Sequence, residues 1–313
     1  MIRKLLLLSG FALLIIQQYI LLVSIKLQFV IFLSGIILLG VPHGAADLLV
    51  ATRYAADKKH AFSKLYFFAN YLLRIFLFGV VLWAFPLAGN VVFIFFAAYH
   101  FGETDLCQFK TNTIAGKLFV ISYGLVILGV IILNHFEEVK PLLLQFDTGA
   151  QSGAFIKFIS NQRYVILSFS GLLFFASTFF YFLTNKSASQ IQGQFLVQFA
   201  LILFILYNLP MVLGFTFYFI LWHSVLSLRN ITRYLSKDGL FSTKLIAKQI
   251  GLYSLLAMSG IVLFGLTGSM FVSNNTMLVY VFLGLAVLTA PHMQIMQQMY
   301  KSIRNNGDVV NEH

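Results

Sequence analysis

Four histidines lie in strongly apolar stretches of the sequence: His43, His100, His223 and His292. Ionisable side chains are costly inside a membrane helix and are found there mainly where they serve a function. Imidazole suits iron, zinc and copper, and four nitrogen ligands leave positions open on a metal that accepts five or six. Open positions are typical of catalytic sites, whereas structural sites are closed. The four residues therefore predict one catalytic metal ion.

Taken singly, an intramembrane histidine is explained as well by a hydrogen bond between helices. The spacing of these four argues for a shared role. Each lies nine or ten positions before a basic residue that ends its apolar stretch, and these basic residues are Arg53, Lys110, Arg233 and Lys301. At a rise of about 1.5 Å per helical residue, all four imidazoles lie roughly 15 Å from the same boundary. We therefore predict that they meet near the middle of the bilayer.

Three carboxylates accompany the histidines. Asp47 follows His43 by one helical turn, and Glu103 and Asp105 follow His100. A carboxylate that accepts the second ring N–H of a ligating histidine fixes the orientation of that ring. All three are candidates for this role, toward a histidine on their own helix or on a neighbouring one. The alternative is that they pair with basic residues at the inner boundary of the membrane.

Aromatic residues make up 16% of the chain and crowd two of the histidines. Tyr99 and Phe101 flank His100, while Phe219 and Trp222 precede His223. These four side chains would suit the lining of a site for a long apolar substrate. Aromatic side chains that face lipid are the alternative explanation.

Membrane-spanning helices are the elements that must position these residues. Hydrophobic residues form 59% of the 313-residue chain and charged residues only 10%, which excludes an ordinary soluble domain. Apolar stretches repeatedly reach the roughly 20 residues that cross a bilayer. We predict an all-α, polytopic transmembrane helix bundle in one integral membrane domain, 1–313. About ten spans are predicted, at 5–24, 27–51, 65–88, 91–109, 118–135, 164–184, 194–209, 211–232, 249–272 and 277–300.

Basic residues predict the orientation, because cytoplasmic loops of bacterial-type membrane proteins are rich in Lys and Arg. With the amino terminus inside, 16 of the 21 basic residues fall in inner segments, 4 in outer segments and Arg74 within a span. We predict a multi-pass protein of a bacterial-type inner (cell) membrane with both termini cytoplasmic. This placement explains the net charge of +11 without nucleic acid, which is excluded as a partner. The segment 136–163 is predicted to be an outer loop.

Four short motifs contain the histidines: GVPHGAAD at 40–47, YHFGETD at 99–105, WHS at 222–224 and PH at 291–292. They resemble the Brp/Blh family of membrane-bound β-carotene 15,15'-dioxygenases from rhodopsin-bearing microbes. The resemblance extends from His43 to His292, which is nearly the whole chain. Its most specific part is the pair Pro-His-Gly-x-x-Asp and Tyr-His-Phe-Gly-x-x-Asp.

The resemblance implies oxidative cleavage of the central double bond of β-carotene by O2 and non-haem Fe(II), giving two molecules of all-trans-retinal. It implies that the four histidines bind the iron, in agreement with the depth argument. Because a carotenoid is apolar, entry of the substrate from membrane lipid through a lipid-facing cleft is a further hypothesis. A functional link to a retinal-binding rhodopsin is expected from the same resemblance. The residues that select the central bond are not recognisable in the sequence.

Other classes of membrane protein compete with this interpretation. Membrane desaturases and hydroxylases carry several histidines a few residues apart, whereas each motif here has one. A haem protein would use two histidines as axial ligands and leave the other two unexplained. A transporter would suit the proline-interrupted spans, although no internal repeat is visible. A transporter and a haem- or metal-binding membrane protein remain the alternatives.

Overall fold

A computed structural model describes residues 1–146, 150–185, 191–239, 241–268 and 277–305, which form eleven α-helices, some with π-helical turns, a 3-10 turn at Lys237–Gly239 and no strand. The all-α prediction is therefore confirmed. In chain order the helices are α1 (Ile2–Ile20), α2 (Ile25–Asp57), α3 (Lys64–Ala84), α4 (Pro86–Asp105), α5 (Ile114–Asn134), α6 (Phe136–Phe146), α7 (Ala150–Thr184), α8 (Gln192–Asn208), α9 (Met211–Ser236), α10 (Thr243–Gly268) and α11 (Met277–Asn305).

Six of the described helices are long and apolar enough to cross a membrane, namely α1, α2, α3, α5, α7 and α9. The predicted count of about ten is not reached by these criteria. Helix α8 is apolar but has only 17 residues. The predicted spans 91–109, 249–272 and 277–300 overlap α4, α10 and α11 with shifted ends, and residues 269–272 lie outside the described part of the chain.

Local chemistry sets several helix ends. Ser24, Ser63 and Thr113 precede α2, α3 and α5, and the side-chain oxygen of each accepts a backbone N–H three residues later. Such caps satisfy donors that the first helical turn leaves unpaired. The predicted break between the seventh and eighth spans is present, because Leu209 and Pro210 both adopt extended backbone conformations.

The segment 136–163 is not the loop that was predicted. Its described residues form α6 and the first turns of α7, a helix of 35 residues that packs against α6. Apolar content indicates where a helix crosses the bilayer, but residues such as Lys, Gln and Glu also favour helix outside it. The prediction was wrong because polarity was taken to end the helix.

The four helices that carry the histidines form a closed ring. Helix α2 packs against α9, α9 against α4, α4 against α11, and α11 against α2. Two of them depart from regular α-helical geometry close to a histidine: the π-helical turn Ile36–Gly40 ends three residues before His43, and the π-helical segment Thr216–Ser224 contains His223. Such turns shift the direction of the side chains that follow and recur at functional sites.

Two glycines allow α4 and α5 to approach closely. A Cβ atom at Gly102 would overlap the carbonyl oxygen of Val120, and one at Gly124 would overlap that of Ala98. No side-chain rotation can relieve these overlaps, since the obstructing atoms belong to the backbone. Small residues at helix contacts are the usual means of tight packing in membranes. The contact holds α4, and with it His100, against the rest of the bundle.

We expect Gly124→Ala to separate α4 from α5 and to lower stability by about 1–3 kcal/mol, the usual cost of overpacking. Gly171→Ala in α7 is the matched control, because no described atom lies within 4 Å of a Cβ at Gly171. Thermal unfolding of both variants in one detergent, followed as loss of monodisperse protein, measures the difference. Equal midpoints for the two variants would contradict the close contact.

Candidate metal centre

The ring of α2, α9, α4 and α11 brings the four predicted histidines together. The imidazole centroids are 5.6 Å apart between His43 and His223 and 4.8 Å apart between His223 and His100. The remaining separations are 5.1 Å between His100 and His292 and 4.9 Å between His292 and His43. Each ring therefore contacts two others, on the two helices that neighbour its own.

The four imidazoles are buried and poorly satisfied. None is more than 5% exposed. Within the described residues, both ring nitrogens of His100 and His223, Nδ1 of His43 and Nε2 of His292 are buried without a hydrogen-bond partner. Leaving one such atom unpaired costs about 1–3 kcal/mol, so a group of them in one place requires an explanation. Imidazole nitrogens that share one metal ion would use these lone pairs.

The spacing of the nitrogens fits a metal ion. Ligand atoms of His43, His100 and His223 all lie within 4.8 Å of one another. Nitrogens bound to one ion at about 2.1 Å can be at most about 4.2 Å apart, which small ring rotations would reach. His292 is outside this group of three, although its ring contacts those of His43 and His100. Its unpartnered Nε2 makes it a fourth ligand candidate.

Asp47 contacts His292 rather than the histidine on its own helix. Nδ1 of His292 lies 2.7 Å from Oδ1 of Asp47, and both side chains are buried. A carboxylate only accepts, so Nδ1 donates and Nε2 keeps the lone pair that a metal requires. The hydroxyl of Tyr71 donates to Oδ2 of Asp47 at 3.0 Å. The chain Tyr71–Asp47–His292 thus fixes the tautomer and the direction of one imidazole.

If the centre holds a metal ion, Asp47→Asn is expected to lower the affinity for it by about 10–100-fold, the usual effect of losing the partner of a metal-binding histidine. Tyr71→Phe should have a smaller effect, because it removes only the hydroxyl that holds Asp47. Glu137→Gln is the control, since Glu137 is 65% exposed and pairs with Arg163. The metal retained per protein after dialysis against graded chelator measures the affinities. Retention by Asp47→Asn equal to that of the control would contradict this role.

Within the described residues, Asp105 forms hydrogen bonds with three other helices and with no histidine. Its Oδ2 accepts hydrogen bonds from the Tyr123 hydroxyl at 2.7 Å, the Tyr218 hydroxyl at 2.8 Å and the indole N–H of Trp222 at 2.9 Å. The guanidinium of Arg3 donates to the backbone oxygen of Asp105 at 2.7 Å. Asp105 therefore joins α4 to α5, α9 and α1, and acts on the candidate centre by fixing the helices that carry His100 and His223.

Glu103 pairs with a basic residue, as the alternative prediction expected. Its Oε1 lies 2.7 Å from a guanidinium nitrogen of Arg304, and both side chains are less than 10% exposed. The Tyr99 hydroxyl is 3.5 Å from the same oxygen. This ion pair ties α4 to α11, the helices of His100 and His292.

The four aromatic residues predicted to line a substrate site separate into two groups. Phe101 and Phe219 flank the histidines: the Phe101 ring is 4.6 Å from that of His223, and the Phe219 ring is 6.1 Å from those of His43 and His223. Trp222 is fully buried against Asp105, and Tyr99 is directed to Glu103. Only Phe101 and Phe219 are therefore placed to meet a molecule at the centre.

The sequence did not identify Tyr71, Tyr123 and Tyr218 as hydrogen-bond partners of the carboxylates. Each is a tyrosine within an apolar helix whose hydroxyl reaches a carboxylate on another helix. A buried tyrosine hydroxyl normally has a hydrogen-bond partner, so a tyrosine within an apolar helix already indicates a polar group on a neighbouring helix. Spacing along one helix could not identify that partner.

Comparison with known proteins places most of the chain in one family. A family model described as Beta-carotene 15,15'-dioxygenase matches residues 34–300, which include all four histidines and Asp47. No curated protein and no solved structure matches the chain.

Proposed function

Because the chain belongs to the beta-carotene 15,15'-dioxygenase family, we propose that it cleaves the 15,15' double bond of β-carotene with O2 and forms two molecules of all-trans-retinal. The observation that carries the proposal is the group of four buried imidazoles, whose nitrogens largely lack partners among the described residues. β-Carotene is a hydrocarbon and has no polar group. Contact with the substrate therefore does not account for these unpaired nitrogens.

Fe(II) is the proposed cofactor, with His43, His100, His223 and His292 as the residues that would hold it. Nitrogen ligands suit iron, and four of them leave positions open. Bound iron would supply the activation of O2, which protein side chains do not provide. The reaction balances without further reactants, because each carbon of the broken double bond gains one oxygen atom of the same O2. No external electron donor is required.

The other residues of the centre have positioning roles in this proposal. Asp47 keeps the His292 ring in one tautomer and one direction. Phe101 and Phe219 present apolar faces beside the histidines, where a polyene could lie with water excluded. The surrounding helices expose many large apolar side chains to lipid, which is where β-carotene dissolves. Entry of the substrate from the bilayer is therefore part of the proposal.

The topology proposed for this enzyme has ten spans in a bacterial-type inner membrane, with both termini cytoplasmic. Helices α4, α8, α10 and α11 would cross the bilayer in addition to the six that meet the length and hydropathy criteria. The excess of basic residues in alternate connections supports this orientation. Retinal released into the same membrane would serve a retinal-binding rhodopsin, the proposed functional partner.

In cells that accumulate β-carotene, wild-type protein is expected to produce retinal, and His43→Ala and His223→Ala are expected to produce less than about one hundredth as much, because each loses a proposed iron ligand. His135→Ala is the matched control, since His135 lies at the end of α5 beside Asn134. Chromatography of extracted retinoids, at matched amounts of membrane-inserted protein, measures the yield.

Two outcomes would overturn parts of the proposal. A wild-type protein that is folded and iron-loaded but forms no retinal would exclude β-carotene as its substrate. A wild-type protein that retains no metal would favour a transporter instead. Visible absorbance of a porphyrin in the purified protein would favour the haem alternative.

A further inference from the structure

A groove of about 320 Å3 opens between α2, α3 and α11. Apolar side chains form part of its wall, and the polar side chains of α3 and α11 that line it are Asn70, Tyr71, Arg74, Gln294 and Gln298. At its other end it is lined by His60 and Ser63, which precede α3. The volume falls in the range of roughly 300–1,000 Å3 that is usual for sites of small organic molecules.

Arg74 is a charged residue of the groove that lies within an apolar helix. It is the tenth residue after Lys64, so it lies about 15 Å along a helix of 21 residues. Within the described residues it makes no hydrogen bond or ion pair. A charged side chain this deep in a bilayer is costly and marks a functional site by default. As far as the described residues show, its N–H donors could bind a ligand that carries an acceptor.

The groove shares part of its wall with the candidate metal centre. Pro291, which precedes His292 directly, lines the groove. Tyr71 lines it as well, and the Tyr71 hydroxyl bonds to Asp47, which bonds to His292. Arg74 lies one helical turn from Tyr71 along α3. Hydrogen-bond donors therefore line a groove that adjoins the candidate metal centre through Pro291 and Tyr71.

The hydrogen-bond donors in the groove can bind the aldehyde product but not the hydrocarbon substrate. β-Carotene is a hydrocarbon and has no hydrogen-bond acceptor, so it gains nothing from Arg74 or Gln294. Cleavage at the centre creates a carbonyl oxygen at the depth of the histidines. That oxygen is an acceptor, and it arises where lipid offers no donor.

We infer that the groove is a binding site for the aldehyde product, with the carbonyl oxygen held by Arg74 and Gln294 and the polyene along the apolar wall. This inference rests on the proposed function. It gives the unpaired arginine a partner during each catalytic cycle, and it gives the product a place outside the metal centre. With the product in the groove, the next hydrocarbon substrate could occupy the candidate metal centre.

The test is equilibrium binding of tritiated all-trans-retinal to full-length protein in phosphatidylcholine nanodiscs under argon. Wild type is expected to bind retinal saturably, and Arg74→Leu and Gln294→Leu each to bind it about tenfold or more weakly, because a hydrogen bond to the carbonyl is lost. Arg163→Gln, at the other end of the bundle in the predicted topology, is the matched control and should bind like wild type. Excess β-carotene should leave retinal bound, because the two occupy different sites.

Three results would overturn the inference: equal retinal affinity in wild type and both groove variants, displacement of retinal by β-carotene, or loss of binding when phosphatidylglycerol replaces phosphatidylcholine. The last would identify the groove as a site for an anionic lipid headgroup. Retinal formation from β-carotene in air, measured separately, tests the proposed function. Failure of the binding site and failure of the reaction are therefore distinguishable.

Discussion

The fold depends on burying four imidazoles in an apolar interior that offers them few hydrogen-bond partners. Water would satisfy these nitrogens at no cost, whereas the bilayer and the packed helices do not. The cost is tolerable if the nitrogens share an ion, since one metal uses several lone pairs together. Four imidazoles can share one ion only if their helices are held in register, because a shift of one residue along a helix turns its histidine away from the other three.

Polar contacts around the centre supply that register. Asp105 gathers donors from α5 and α9, Glu103 binds Arg304 of α11, and Asp47 joins α2 to α11 while accepting from α3. Each of these carboxylates connects the helix of one histidine to another helix. In lipid, where apolar contact alone does not favour one helix pairing over another, such bonds and the close contact at Gly124 select the arrangement.

Much of the candidate metal centre could be predicted from the sequence. The parts that could not be predicted share a physical reason. The fixed rise of a helix and the basic residues at its end predict one depth for His43, His100, His223 and His292, and this led to the prediction that they meet. The i+4 spacing that linked Asp47 to His43 describes a single helix. That spacing could not show that the side chain of His43 points toward the other three histidines while that of Asp47 reaches α11. For the same reason Trp222 was assigned to a substrate site, although its indole binds Asp105. Span counting was least secure where helices are short or mixed in polarity, as in α4 and α8.

X-ray absorption at the iron edge tests the central claim, that the four histidines bind one iron, most directly. The measurement compares purified, iron-loaded wild type with His223→Ala. The account predicts a nitrogen shell with the scattering pattern of imidazole in the wild type, and one imidazole fewer in the variant. An iron environment made of oxygen alone, or one that is identical in the two proteins, would contradict it.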